Sequence, residues 1–159
     1  MQVRDDSHAR FDALSREYEY HISINKNPFE IDRVYYYKRT LDLKIMNKCC
    51  ELLLSYTNFK SFSKSKTDVK TYNCKIYKAE WLSYENSLIF RIKADRFLRN
   101  MVRAIVGTLL EVGGGKISKK DFQLIIEQKD RQLAGFSVPA HGLYLKKIEY
   151  NWKNILISG

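Results

Sequence analysis

A chain of 159 residues, 45% of them hydrophobic, can bury one real core and is too apolar to be disordered throughout. Its 28 Lys and Arg against 18 Asp and Glu leave a net charge of +10, which points to a polyanionic partner (RNA, DNA or an anionic membrane) or, more blandly, to solubility. Three cysteines, Cys49, Cys50 and Cys74, form no disulfide framework, and with three scattered histidines (His8, His21, His141) they argue against a metal site and for buried thiols in a reducing compartment.

In chain order, Tyr18, Tyr20, Ile22 and Ile24 alternate with Glu17, Glu19, His21 and Ser23, the period of a strand with one buried face. Val34 to Tyr37 reads as a second short strand. Asp42 can cap a helix in which Ile45, Cys49, Leu52, Leu53 and Tyr56 share a face. Lys60 to Thr71, rich in Ser, Lys and Thr, reads as an exposed loop. Tyr72 to Tyr84 and Leu88 to Ala94 form a hairpin around Glu85-Asn86-Ser87. Asp95 then caps a helix running to Val112 and stopped by Gly113-Gly114-Gly115. Ser118 and Asp121 resemble a capping box, with Asp in place of the usual Glu or Gln, for a helix carrying Phe122, Ile125 and Ile126. Leu143 to Trp152 returns as a strand. The expected fold class is α+β, a mostly antiparallel sheet with helices packed on one face.

The N-terminus has no apolar run of the signal-peptide kind, and the longest apolar stretch, Ala104 to Leu110, is too short to span a bilayer. A cytoplasmic protein with no membrane partner is expected. Gly113-Gly114-Gly115 lacks the Lys and the spacing of a nucleotide-phosphate loop, so no nucleotide cofactor is expected.

The segment Phe97 to Gly113 carries the chemistry. From Met101 it is apolar almost all round, yet Arg96, Arg99 and Arg103 recur at helical spacing as one stripe. An unpaired guanidinium at Arg103 would cost several kcal/mol to bury. It needs either an internal carboxylate, Asp130 or Glu111, or a partner from outside the chain.

Three blocks in order resemble the TruA-type tRNA pseudouridine synthases. They are His8-Ala-Arg-Phe11 with Arg16-Glu-Tyr-Glu-Tyr20, then Phe97 to Gly113 with Met101-Val-Arg103, then Lys129-Asp-Arg131 with Ala134-Gly135 and Pro139-Ala-His-Gly-Leu-Tyr-Leu145. The resemblance covers residues 1–152 as the C-terminal portion of a catalytic domain, with 153–159 as a tail. It implies isomerisation of uridine in the tRNA anticodon stem-loop by a homodimer without cofactor or metal, the target base being flipped into a pocket. By similarity Tyr18 is the pocket aromatic, and Arg103 pairs with the catalytic aspartate. Leu143 closes the apolar side, while Arg10, Arg16, Arg96 and Arg99 bind substrate through phosphates. The bland alternatives are a core Tyr18, a core Leu143, surface arginines and a loop His141 without a role.

The family's aspartate lies in an Arg-Thr-Asp-Ala-Gly-Val-His type motif upstream of the first block. The nearest look-alike here, Arg39-Thr-Leu-Asp42, has an inserted Leu and falls at a helix cap, so Asp42 is expected to be structural. The chain by itself is therefore expected to be inactive. Two rival readings are a non-catalytic RNA-binding module and a dimerisation domain of incidental charge. Basic residues from Lys60 to Lys78 interleave with Phe59, Phe62, Tyr72 and Tyr77, a pattern suited to RNA loops, against which stands a solvated loop.

Overall fold

A computed structural model describes residues 2–65, 67 and 69–156. It contains strands β1 (Ala13–Ser23), β2 (Tyr35–Tyr36), β3 (Ile76–Tyr84), β4 (Ser87–Ala94) and β5 (Leu143–Tyr150). The helices are α1 (Leu43–Leu53), α2 (Met101–Gly113), α3 (Lys119–Gln128) and the short α4 (Trp152–Ile155). The fold is α+β, as the sequence predicts. The final residues of the predicted tail, 157–159, and Lys66 and Asp68 of the predicted loop lie outside the described residues.

β1 is the spine of the sheet. One edge pairs antiparallel with β4, which continues into β3. Its other edge pairs antiparallel with β5 along Ala13–Tyr20 and then parallel with β2 at Ile22 and Ser23. Alternation sends Tyr20, Ile22, Leu88, Phe90, Ile92 and Ala94 to one face, where all six are buried. There α1 and α2 cover them. Ile24, included in the predicted strand face, falls beyond the end of β1 and is exposed.

Local chemistry sets the helix ends. The Asp42 side chain accepts from Ile45 N at 3.1 Å and caps α1, whose Met46, Cys49, Cys50 and Leu53 form the buried stripe. Ser118 and Asp121 complete the expected capping box on α3. Helix α2 is buried on nearly every side, with Thr108 satisfied by the Ala104 carbonyl at 2.8 Å.

β3 starts at Ile76 rather than Tyr72, and the final strand stops at Tyr150, so that Trp152 begins α4 instead of ending the strand. Two further elements differ in kind. The Lys60–Thr71 loop begins as a docked turn: Ser61, Phe62 and Ser63 are buried, and Ser61 Oγ donates to the Ile125 carbonyl at 2.6 Å. Phe62 packs against Phe59 and Phe122, which overrides the polar composition. Helix α2 starts at Met101 rather than after Asp95. Asp95 Oδ1 instead accepts Lys75 N at 2.7 Å and Arg96 N at 2.6 Å, and Asn100 adopts a left-handed φ of 69°. Arg96 and Arg99 therefore sit in the turn before the helix, and the predicted arginine stripe does not form.

Candidate functional site

Tyr18 lies on the helix side of β1, opposite Ile92 of β4 and Leu145 of β5. Its ring meets Phe97 edge-on, centroids 5.3 Å apart at 89°. Leu143, the first residue of β5, pairs with Tyr20. Tyr18, Leu143 and Arg103 line one cleft of about 770 Å³, together with Phe97, Ala140 and the cations Arg10, Lys64 and Arg99. That volume lies within the roughly 300–1,000 Å³ usual for ligand pockets.

Next to the cleft, and leading into its Ala140, a strap of residues 134–139 lies along α2. It comes so close that a Cβ at Gly107 would fall 1.8 Å from the Phe136 carbonyl oxygen. Several hydrogen bonds also hold it. Gly135 N donates to Thr108 Oγ1 at 2.9 Å, and Tyr20 OH donates to the Pro139 carbonyl at 2.7 Å. Asn100 Nδ2 and Arg131 Nη2 donate to Ser137 Oγ at 2.6 and 2.9 Å. Arg131 Nη1 also reaches the Gly135 carbonyl at 3.1 Å. Burial pushes the Tyr20 phenol far above its ordinary value, so this hydroxyl stays a donor.

Arg103 is half-buried against the strap. Its Nε donates to the Val138 carbonyl at 2.5 Å, and Val138 N donates back to the Arg103 carbonyl at 3.2 Å. Among the described residues Arg103 enters no ion pair. The two internal partners open in the sequence are engaged elsewhere: Glu111 pairs with Lys116 at 2.6 Å, and Asp130 accepts Gln132 N at 2.9 Å. No carboxylate lines the cleft among the described residues.

The remaining sequence candidates scatter around this centre. Arg10 is exposed over Phe11 and borders both the main cleft and a neighbouring one of about 300 Å³ that Arg96 and Arg99 also line. Arg16 turns its guanidinium onto the carbonyls of Ala13, Asp95 and Arg10 and does not line the cleft. His141 is exposed in a short helical turn. Sequence assigns no role to Asn100, Ser137, Arg131 or Lys64, although Asn100 and Arg131 fall within the resemblance blocks and Lys64 within the basic Lys60–Lys78 stretch. Only the unusual φ of Asn100 has a local signal, an Asn ahead of an apolar run.

The opposite face of the sheet is a lattice of paired charges. Arg91 Nε and Nη2 both donate to Glu19 Oε1, at 3.1 and 2.8 Å, while His21 and Lys146 approach Oε2. Burial works to raise the Glu19 carboxyl, but the Arg91 and His21 hydrogen bonds with the Lys146 charge outweigh it and leave it below the ordinary carboxylate range. Lys147, Lys93 and Ser15 hydrogen-bond Glu149 and hold it at about 2. Among the described residues no three His, Cys, Asp or Glu side chains are grouped to hold a metal ion, and no helix is long and apolar enough to cross a membrane.

Residues 50–151 match the sequence profile of a family described as tRNA pseudouridine synthase. The chain is 52% identical over 150 residues to the tRNA pseudouridine synthase A of Parabacteroides distasonis, covering 94% of this chain and 60% of that protein. It is 53% identical over 150 residues to the protein of the same name from Porphyromonas gingivalis, covering 93% and 60%. Against the Bacillus subtilis protein the identity is 38% over 153 residues, covering 94% and 62%. The chain thus spans about 60% of the length of the curated relatives it matches. With the matched profile running across α2, the strap and β5, the chain belongs to the tRNA pseudouridine synthase family.

Proposed function

We propose that residues 1–152 form the C-terminal portion of the catalytic domain of an enzyme that isomerises uridine to pseudouridine in the anticodon stem-loop of tRNA. The reaction breaks the bond between uracil N1 and ribose C1′ and makes one between C5 and C1′; C5 gives up its hydrogen as a proton to solvent and N1 takes a proton up. Product and substrate have the same atoms, so no cofactor is called for. The observation that carries the proposal is Arg103, half-buried beside Tyr18 and Leu143 with a guanidinium unpaired among the described residues. The terminal nitrogens of that guanidinium form a fork suited to a carboxylate or phosphate. On this proposal an aspartate from sequence N-terminal to residue 1 takes part of the fork, and the flipped nucleotide takes the rest.

Tyr18 stacks on the flipped uracil and its hydroxyl assists departure of the C5 proton. Leu143 closes the apolar side, and the contacts so made offset the roughly few kcal/mol of unstacking. Arg10, Arg96 and Arg99 hold phosphates, and Arg16 supports Arg10 through its carbonyl. A cytoplasmic homodimer belongs to the same proposal. Phe29 and Ile31, 90% and 59% exposed between β1 and β2, offer apolar surface for it, and analytical ultracentrifugation would decide.

The test is tritium release from tRNA labelled at uracil C5, using the full-length protein. Arg103→Ala should abolish release while the far-UV spectrum and melting temperature stay close to wild type. Turnover near wild type in that variant would sink the proposal. Salt-sensitive tRNA binding with no release by the unmutated full-length protein would favour a non-catalytic RNA-binding module instead.

A further inference from the structure

Beside the Tyr18 cleft lies a second one of about 440 Å³, lined by Lys60, Lys64, Tyr72, Lys129 and Arg131, with Asp130 its one carboxylate. Lys64 belongs to both clefts, and its backbone N donates to the Arg99 carbonyl at 2.9 Å, so the two are continuous. Among the described residues, no Lys or Arg lining either cleft enters an ion pair. On the far face of the sheet the pattern is reversed: Lys78, Arg91, Lys93, Lys146 and Lys147 all pair with carboxylates.

The second cleft is also built rather than loose. Its Lys60–Lys64 ledge is pinned by the buried Ser61 bond to Ile125 and by Phe62 on Phe122. Lys129 is held at the end of α3 in a left-handed conformation, φ 55°. Arg131 is fixed by bonds to Ala134, Gly135 and Ser137. The backbone that carries these groups is therefore already in place, and binding has to order only the lysine side chains. Tyr72 is half-buried, and the Lys60 ammonium sits over its ring at 5.7 Å.

We infer that this cleft is a binding subsite for the RNA strand next to the flipped uridine, taking its phosphates on Lys60, Lys64 and Lys129 and a base on the Tyr72 ring. The inference rests on the Tyr18–Arg103 cleft being the uridine pocket. A phosphate draws Lys60 off Tyr72, which frees the ring face for stacking. Cations without carboxylate partners suit a phosphodiester backbone, and an aromatic among them suits single-stranded bases.

The experiment is fluorescence-anisotropy titration of the full-length protein with a labelled tRNA anticodon stem-loop over a range of salt. The key variant combines Lys60→Ala with Lys129→Gly; both side chains are exposed, and glycine suits the left-handed position, so the fold is kept. It should bind about tenfold more weakly at low salt, with a log K against log[salt] slope shallower by roughly 1 to 2. Tyr72→Leu should weaken binding about threefold or more without changing the slope. Unchanged affinity and slope in the double-lysine variant, with binding lost in Arg103→Ala, overturns the subsite and leaves the uridine pocket standing. Weakened binding in the double-lysine variant with Arg103→Ala unaffected supports the subsite and counts against that pocket. Wild-type binding indifferent to salt overturns both.

Discussion

Arg103 and Val138 are bonded to one another twice, once through the guanidinium Nε and once through the backbone. This ties the root of the guanidinium and leaves its two terminal nitrogens without a hydrogen-bond partner among the described residues. Lysine has no counterpart to Nε and presents a single point charge. Arg103→Lys in the full-length protein should therefore reduce tritium release by roughly 30- to 150-fold, in line with the roughly 2–3 kcal/mol of a charge-assisted bond. Its melting temperature should change little. A loss of less than threefold would show that the fork has no part in the reaction.

Gly107 has no room for a side chain, because the Phe136 carbonyl occupies the place of its Cβ. Gly107→Ala must push the strap away from α2 and strain the bonds at Thr108 and Arg103. The expected cost is about 2–3 kcal/mol, measured by urea unfolding. An unchanged midpoint would mean that the strap does not stabilise the fold.

Acid should destabilise the chain through Glu19 and Glu149. Both carboxyls lie below their unfolded values, so their contribution is complete above about pH 4.3 and is lost as pH falls through the folded values. For Glu149 that loss continues to about 2. Melting temperature should be flat in this respect near neutrality and drop below about pH 4, with a smaller drop in Glu19→Gln. A Glu19→Gln protein with the wild-type acid profile would remove Glu19 from the account.

The three thiols should be inert in the folded chain. Burial pushes Cys49 and Cys74 up to about 11 and Cys50 higher still, and each is almost fully enclosed. Reaction with a disulfide reagent near neutral pH should be at least about a hundredfold slower in buffer than in denaturant. Rapid labelling of one thiol in buffer would expose a local opening of α1 or of the segment before β3.

Much of this architecture was legible because local period and tertiary burial agree. The alternation in β1 as far as Ile22, the Asp42 cap of α1 with Cys49 and Leu53 on its buried stripe, the β3–β4 hairpin and the Ser118–Asp121 box each point to the structure found. Where they conflict, distant contacts decide. The Asp95 carboxylate looks like a helix cap, but Lys75 N, twenty residues earlier, competes for it. Ser61 and Ser63 look like loop residues, but Phe62 between them is drawn under Phe122. The candidate site followed a similar rule. Tyr18, Arg103 and Leu143 stand in sequence blocks and do meet in one cleft. Ser137 carries no signal of its own, since its role exists only where Asn100 and Arg131 converge on it.

The segregation of paired from unpaired cations has a kinetic consequence. The far face of the sheet pairs its cations with carboxylates, whereas Arg10, Lys60, Lys64, Arg99, Arg103, Lys129 and Arg131 line the clefts with Asp130 their one carboxylate among the described residues, so the clefts form a positive patch. A polyanion diffusing nearby exerts a torque on such a body and turns the clefts toward itself before contact. Encounters then begin in a productive orientation, which raises the association rate at low ionic strength more than it lengthens the life of the complex.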